Sequence, residues 1–225
     1  VENKLGWKCP LYSRWVSMLT RCYSKSYLEN YPSYSGCIVC ENWLSFSNFK
    51  QWIERLDWEG QHLDKDILGD GKIYSPENCT FIHSDVNTLI TEASTIRGIY
   101  PLGVCKNKDK RVVVCRDPYL GKAVTIRCLK EGECVENIGH NLWKTYKKTI
   151  VVRMWLEGKI DNTNIYERLM QKYSYTGNRV WLESVVKSKL IKHGVDIEGV
   201  FELIEDYEDT LPILPIYEDT SNEND

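Results

Sequence analysis

The sequence predicts an α+β fold: a strand–strand–helix unit, then a small three-stranded antiparallel sheet, then a helical C-terminal region. Three observations carry this. Two short apolar runs, His62–Leu68 and Cys79–Ile82, flank a Gly69-Asp70-Gly71 turn and precede a helical pattern. Three alternating runs separated by turn residues fill 103–128. Helical periodicity dominates the rest of the chain up to residue 193.

In chain order, Trp7–Tyr23 reads as a helix, with Trp15, Met18, Leu19 and Cys22 on one face. Glu29–Gly36 is a turn-rich loop, followed by the short apolar run GCIVCENW. Leu44–Leu56 reads as a second helix, carrying Phe46, Phe49, Trp52, Ile53 and Leu56, with Ser45 or Ser47 as N-cap. His62–Leu68 is a strand, the glycine turn suits a hairpin loop, and Cys79–Ile82 is a second strand. Ser84 caps a helix expected over 85–95. After a linker at 96–101, Gly103–Lys106, Arg111–Arg116 and Ala123–Cys128 form a meander. A long helix is expected over 131–156, with Leu142, Tyr146, Ile150, Met154 and Trp155 as its apolar stripe. Helices over 161–173 and 179–193 are broken at Thr176-Gly177-Asn178, and an extended, disordered tail is expected from Pro212. The domains expected are therefore 1–95, 96–160, 161–211 and an acidic tail at 212–225.

Composition excludes several classes. The 225 residues are 42% apolar and 12% aromatic, enough to bury a core, so wholesale disorder is excluded. No run approaches the ~18 apolar residues of a membrane span. Val1–Pro10 carries no apolar stretch of a signal peptide. Nine scattered cysteines make a poor disulfide framework, so packed thiols in a reducing cytoplasm are expected. Cys37-x-x-Cys40 is half of a zinc pattern, but Cys9 and Cys22 would complete it with an unusual spacing.

The charge distribution is more informative than the net charge of −3. No Lys or Arg follows Lys192, and eleven of the 32 acids lie beyond residue 193. Residues 1–193 thus carry all 29 basic residues against 21 acids, and 97–160 alone carries fourteen against six. A basic body behind an acidic tail is the footprint of a polyanion binder.

The segment HLDKDILGDGKIYSPENCTFIHSDVNTL, residues 62–89, holds the chemistry-bearing residues. A carboxylate on a strand, Asp64, and an amide on the following helix, Asn87, can converge on one divalent cation with oxygen ligands, Mg²⁺ or Mn²⁺. Such an ion stabilises the charge that develops when a phosphodiester is cut.

Asp64, the position after it, Asn78 and Asn87, with the loop YSPEN and the upstream RCY and GCIVCENW stretches, resemble the HNH (ββα-metal) nucleases. The resemblance is to free-standing and intron-encoded endonucleases of bacteriophages and covers about residues 10–95. It implies that Asp64 and Asn87 bind the metal and that Asn78 braces the loop. The family's general-base His falls on Lys65. An ordinary lysine is neutral about one time in a thousand near pH 7.5, roughly 4 kcal/mol against use as a base. Lys65 is therefore expected as a cation near the scissile phosphate, with His62, His83 or a hydroxide at the metal as base.

Residues 97–157 resemble, more loosely, the AP2-type DNA-binding domain often appended to such enzymes. A three-stranded sheet of that kind can enter the major groove. Lys106, Lys108, Lys110, Arg111, Arg116, Lys122 and Arg127 would then meet phosphates and guanines. The resemblance implies a metal-dependent endonuclease acting on double-stranded DNA in the host cytoplasm, with no membrane and no small-molecule cofactor. The alternatives are a catalytically weak or inactive HNH-like DNA-binding protein, and a protein-binding module whose acidic tail mimics nucleic acid.

Overall fold

A computed structural model describes residues 9–69, 71–91 and 99–210. The expectations for 1–8, for the end of the helix drawn to residue 95, for the first half of the 96–101 linker and for the tail from Pro212 lie outside these residues. The fold is mixed α and β, with a three-stranded antiparallel sheet among helices. Its residues fall into two hydrophobic cores, and the segment 62–90 is built between them.

The first core is packed by α1 (Pro10–Tyr23) and α3 (Phe46–Ile53). Pro10 opens α1, where its missing N–H is no loss. Leu11, Met18 and Cys22 of α1 meet Phe49 and Ile53 of α3, with Trp43 at the centre. The Trp43 and Phe49 rings meet edge to face at 5.2 Å. Between them, Ser24 caps a six-residue helix, α2 (Lys25–Asn30), where the sequence suggests only a loop from Glu29. Ser45 stands at the N-cap position of α3 without a side-chain cap bond. The helix ends at Ile53, and Leu56, expected on its buried face, is exposed.

The strands of the first half are short. β1 (Ile38–Val39) pairs parallel with β3 (Ile73–Tyr74). β2 (His62–Asp64) pairs antiparallel with β4 (Thr80–Ile82), in the register His62↔Ile82 and Asp64↔Thr80. β4 leads through His83 into α4 (Ser84–Ile90). The two runs expected to pair, β2 and β4, do so, but their connection is longer than a hairpin loop, and the run directly after the glycine turn, β3, pairs with β1. Phe81 and Tyr74 belong to the first core, whereas Ile67, Ile82, Val86 and Leu89 belong to the second.

The second core contains β5 (Val104–Asn107), β6 (Lys110–Asp117) and β7 (Lys122–Cys128), paired antiparallel in that order. Val104, Val113, Cys115, Val124 and Ile126 point inward onto α5 (Asn141–Leu156). Trp143 of α5 covers Gly103, where a Cβ would come within 2.1 Å of the indole. The long helix starts later than the sequence suggests: a turn at Gly132 and a wide π-helical turn at Val135–His140 precede α5. α5 is also buried on nearly every side rather than along one stripe. The reason is that α6 (Thr163–Lys172), α7 (Arg179–Lys192) and α8 (Val200–Thr210) share its core opposite the sheet. Asn162 and Asn178 cap α6 and α7.

Burying α5 also buries three of its cations, and each has a partner. Lys147 Nζ donates to the Leu89 carbonyl at 2.6 Å, Lys148 pairs with Glu208, and Arg153 donates to Asp117 Oδ2 at 3.0 Å. All nine cysteines are unpaired thiols, with Cys22, Cys37, Cys79 and Cys115 buried. Among the described residues, no helix is long and apolar enough to cross a membrane.

Candidate metal and nucleic-acid site

Asp64 itself ends β2. Its Oδ1 accepts the backbone N–H groups of Asp66 at 2.9 Å and Ile67 at 2.8 Å, which turns the chain out of the ladder. This is why the apolar run continues to Leu68 while the strand does not. The carboxylate is 5% exposed, and Oδ2 has no donor among the described residues. Burial raises the carboxyl above its ordinary range, against the pull of the two backbone donors. A buried carboxylate with one oxygen uncommitted is suited to a cation.

Asn87 reaches the same place from α4. His83, not Ser84, caps that helix: its Nδ1 accepts from the Asp85 N–H at 3.1 Å. Ser84 is the first helical residue instead. Asn87 lies one turn in, and its side chain lines both lobes of a cleft that Asp64 also lines. The amide makes no hydrogen bond to another described side chain or backbone group.

The other expected residues take distinct places. Lys65 is 7% exposed at its side chain, with Nζ 2.6 Å from Asp66 Oδ1 and over the rings of Tyr34 and Tyr74 at 5.4 and 5.7 Å. Burial pulls its pKa down, but the Asp66 hydrogen bond and charge outweigh burial, so the net direction is up. Lys65 is a fixed ammonium. His62 is exposed on β2 and lines the smaller lobe beside Asp64 and Arg21. His83 is committed to capping α4. Asn78 is not on the cleft wall: its amide donates to the Ile73 carbonyl at 3.4 Å and lies against Gly69, where a Cβ would come within 2.7 Å of it. It ties the two ends of the 69–78 loop together.

The larger lobe measures 760 Å³. Its far wall is α6, which contributes Arg168, Gln171 and Lys172, while Lys72 stands on the near side. The sequence offers no local motif for Arg168 or Lys172; only the basic excess of the body hints at them. Among the described residues, no group of three or more His, Cys, Asp or Glu side chains is placed to hold a metal. Cys37, Cys40, Cys9 and Cys22 form no such group either. The cleft is lined by the carboxylates of Asp64 and Asp66 and the amides of Asn87 and Gln171, and the pair expected to meet a cation is Asp64 and Asn87. Both are oxygen ligands, which suit Mg²⁺ or Mn²⁺ with water completing the shell.

The cations of the sheet divide into two groups. Lys106 pairs with Arg111 across β5 and β6, and Lys108 and Lys110 complete the same hairpin tip. Arg116 and Lys122 lie at the other end of β6, about 20 Å away at ~3.3 Å per residue. Arg127 belongs to neither. A bulge in β7 places Ile126 and Arg127 opposite Val113, so Arg127 turns to the core side. There it pairs with Glu133 at 2.7 Å and stacks 4.9 Å from the Trp181 ring. Strict alternation along AVTIRC would have put it outward with Thr125.

Comparison of the chain with protein-family models, with curated proteins and with solved structures returned no match.

Proposed function

We propose that this protein is a metal-dependent DNA endonuclease of the HNH type, similar to phage homing endonucleases, with the β5–β7 sheet as an AP2-like DNA-binding element. One observation carries the reading: Asp64 and Asn87, brought from the end of β2 and the second turn of α4, line one cleft, and Asp64 Oδ2 and the Asn87 amide have no hydrogen-bond partner among the described residues. The order β2, β4, α4 is the order that a ββα-metal unit requires.

Asp64 and Asn87 would hold the ion, and a bound divalent cation supplies charge stabilisation at the phosphate under attack. The chain's own groups do the rest. Asp66 fixes Lys65 in place, and the ammonium attracts the phosphodiester into the cleft. Hydrolysis adds water at phosphorus and breaks one P–O ester bond. His62, in the lobe that Asp64 lines, takes the proton that water loses. Asn78 holds the loop that carries Lys72. The hairpin-tip cations and the Arg116–Lys122 end would grip backbone phosphates on either side of the sheet's outer face.

Incubating supercoiled plasmid with Mg²⁺ or Mn²⁺ tests the reading. Nicked or linear product is expected, lost with chelator and in Asp64→Asn. A second reading is favoured by Lys65, a fixed cation where the family has its base: a DNA-binding protein that does not cut. It predicts salt-dependent DNA binding with no product under either metal.

A further inference from the structure

We propose that the groove between β7 and α7 is a nucleic-acid contact, and that Lys189 and Lys192 meet two backbone phosphates there. This rests on the DNA-binding part of the reading above, not on cleavage, and extends it to a helix that no sequence motif marks.

β7 is an edge strand, because the sheet runs in the order β5, β6, β7. Between it and α7 lies a groove of 380 Å³, with Ile126 and Arg127 on one side and Ser184, Ser188, Lys189 and Lys192 on the other. Ser184, Ser188 and Lys192 recur every four residues, so they share one face of α7, with Lys189 beside them. The bulge that turns Arg127 inward also sets it on this wall.

The charge of the groove comes from few groups. No acid lines it. Arg127 is paired with Glu133 at 2.7 Å, and the pair is neutral overall. Both oxygens of Glu133 are engaged, Oε1 by Arg127 and Oε2 by the Lys130 N–H at 2.7 Å. Neither Lys189 nor Lys192 has a hydrogen-bond or ion-pair partner among the described residues. Two uncompensated positive charges therefore stand on the α7 wall, with the exposed Ser188 hydroxyl as a neutral donor beside them. A separate observation points to an anion: Arg127 Nη1 is buried with no acceptor among the described residues. Leaving such a donor unmet is costly, and a phosphate oxygen entering between β7 and α7 would supply the acceptor.

Position favours a phosphate polymer over a single small anion. Arg127 lies opposite Val113, three residues along β6 from Lys110 and three from Arg116. At ~3.3 Å per residue the groove is about 10 Å along the strand from each cation group of the sheet. A duplex gripped at both of those groups passes the β7 edge between them, and the α7 lysines extend the grip past the sheet.

The test is fluorescence anisotropy of the full chain with a labelled DNA duplex in chelator, across a salt series. Lys189→Gln with Lys192→Gln is compared with a control of equal charge, Lys50→Gln with Arg55→Gln on the α3 side. The α7 pair is expected to weaken binding about tenfold and to lower the slope of log affinity against log salt by about 2, at ~0.9 per phosphate contact. The control is expected to leave both unchanged. Ser188→Glu, which puts an acid beside the lysines, is expected to weaken binding as well, with an unchanged melting temperature separating a lost contact from a folding defect. Wild-type affinity and slope in the α7 pair would overturn the groove, even if the protein cuts plasmid, and would leave its lysines to a protein partner. A wild type without salt-dependent binding would remove the groove together with the DNA-binding reading. Weakened binding by the α7 pair in a protein that never cuts would support the groove and remove the nuclease reading alone.

Discussion

Asp64 and Asp117 each end a β-strand, and each uses Oδ1 to accept two backbone N–H groups just ahead of it. The donors are Asp66 and Ile67 at 2.9 and 2.8 Å in one case, Tyr119 and Leu120 at 2.9 and 3.3 Å in the other. Both carboxylates are buried, at 5% and 0% exposure. They differ at Oδ2. That of Asp117 accepts from the Tyr146 hydroxyl at 2.9 Å and from Arg153 at 3.0 Å, so the carboxylate is fully used within the fold. That of Asp64 has no such partner among the described residues and faces a cleft. Burial of an acid is thus no sign of function in this chain. What sets Asp64 apart is a buried carboxylate oxygen that no described donor uses.

Substituting each acid separates the two roles. Asp117→Ala strands Arg153 and the Tyr146 hydroxyl in the core, so a loss of about 3–5 kcal/mol is expected. In a chain this long that lowers the melting temperature by roughly 10 °C. A melt within a degree or two of wild type would break the comparison from the structural side.

Asp64→Asn should act oppositely. The amide oxygen still accepts the Asp66 and Ile67 N–H groups, and a buried charge is removed. Cleavage should fall at least about a hundredfold, as for loss of a metal ligand. In chelator at pH 7 the variant should melt at or above wild type. The sign follows from the raised carboxyl: ionisation costs the wild type stability once pH exceeds the folded-state value. The variant's advantage should therefore vanish below the ordinary carboxylate range. A marked drop in its melting temperature would make Asp64 a second Asp117.

Added Mg²⁺ or Mn²⁺ should stabilise the wild type by about 2.7 kcal/mol at a hundredfold excess over the dissociation constant, and Asp64→Asn not at all. Protons compete with the ion at Asp64, so the stabilisation should shrink as pH falls through the raised value. An undiminished thermal shift in Asp64→Asn would place the ion elsewhere.

The smallest effect is expected for Lys65→Met. Its partner Asp66 is exposed and can be rehydrated, and an apolar chain suits the space between Tyr34 and Tyr74, so a change within about 1 kcal/mol is expected. Because its pKa is raised, Lys65 contributes stability that is lost only as pH rises through that value. The difference between wild type and variant, followed by denaturant melts, should stay flat from about pH 6 to 9.

Short-range pattern made much of this legible in the sequence. The alternation in 103–128 and its turn residues mark the meander, because pairing there is between neighbours. The spacing of Asp64 and Asn87 marks the residues that share a cleft. Hidden from the sequence were features set by distant partners. The β1–β3 pairing joins segments more than thirty residues apart. The β7 bulge reverses Arg127 although the local pattern reads as unbroken alternation. The near-complete burial of α5 depends on three later helices. Asp64 cuts β2 short through a side-chain turn that apolar periodicity does not register. Arg168 and Lys172 look like ordinary surface cations until α6 is seen across the cleft.

The Leu89 carbonyl, near the end of α4, accepts from both Lys147 of α5 at 2.6 Å and the Tyr173 hydroxyl at 3.3 Å. The helix that carries Asn87 is thus clamped by parts of the chain that follow the sheet. Grafting residues 9–91 onto a foreign domain would release that clamp and bare Ile82, Val86 and Leu89 to water. Exchange of the chain beyond residue 91 should therefore disturb α4 and the placement of Asn87.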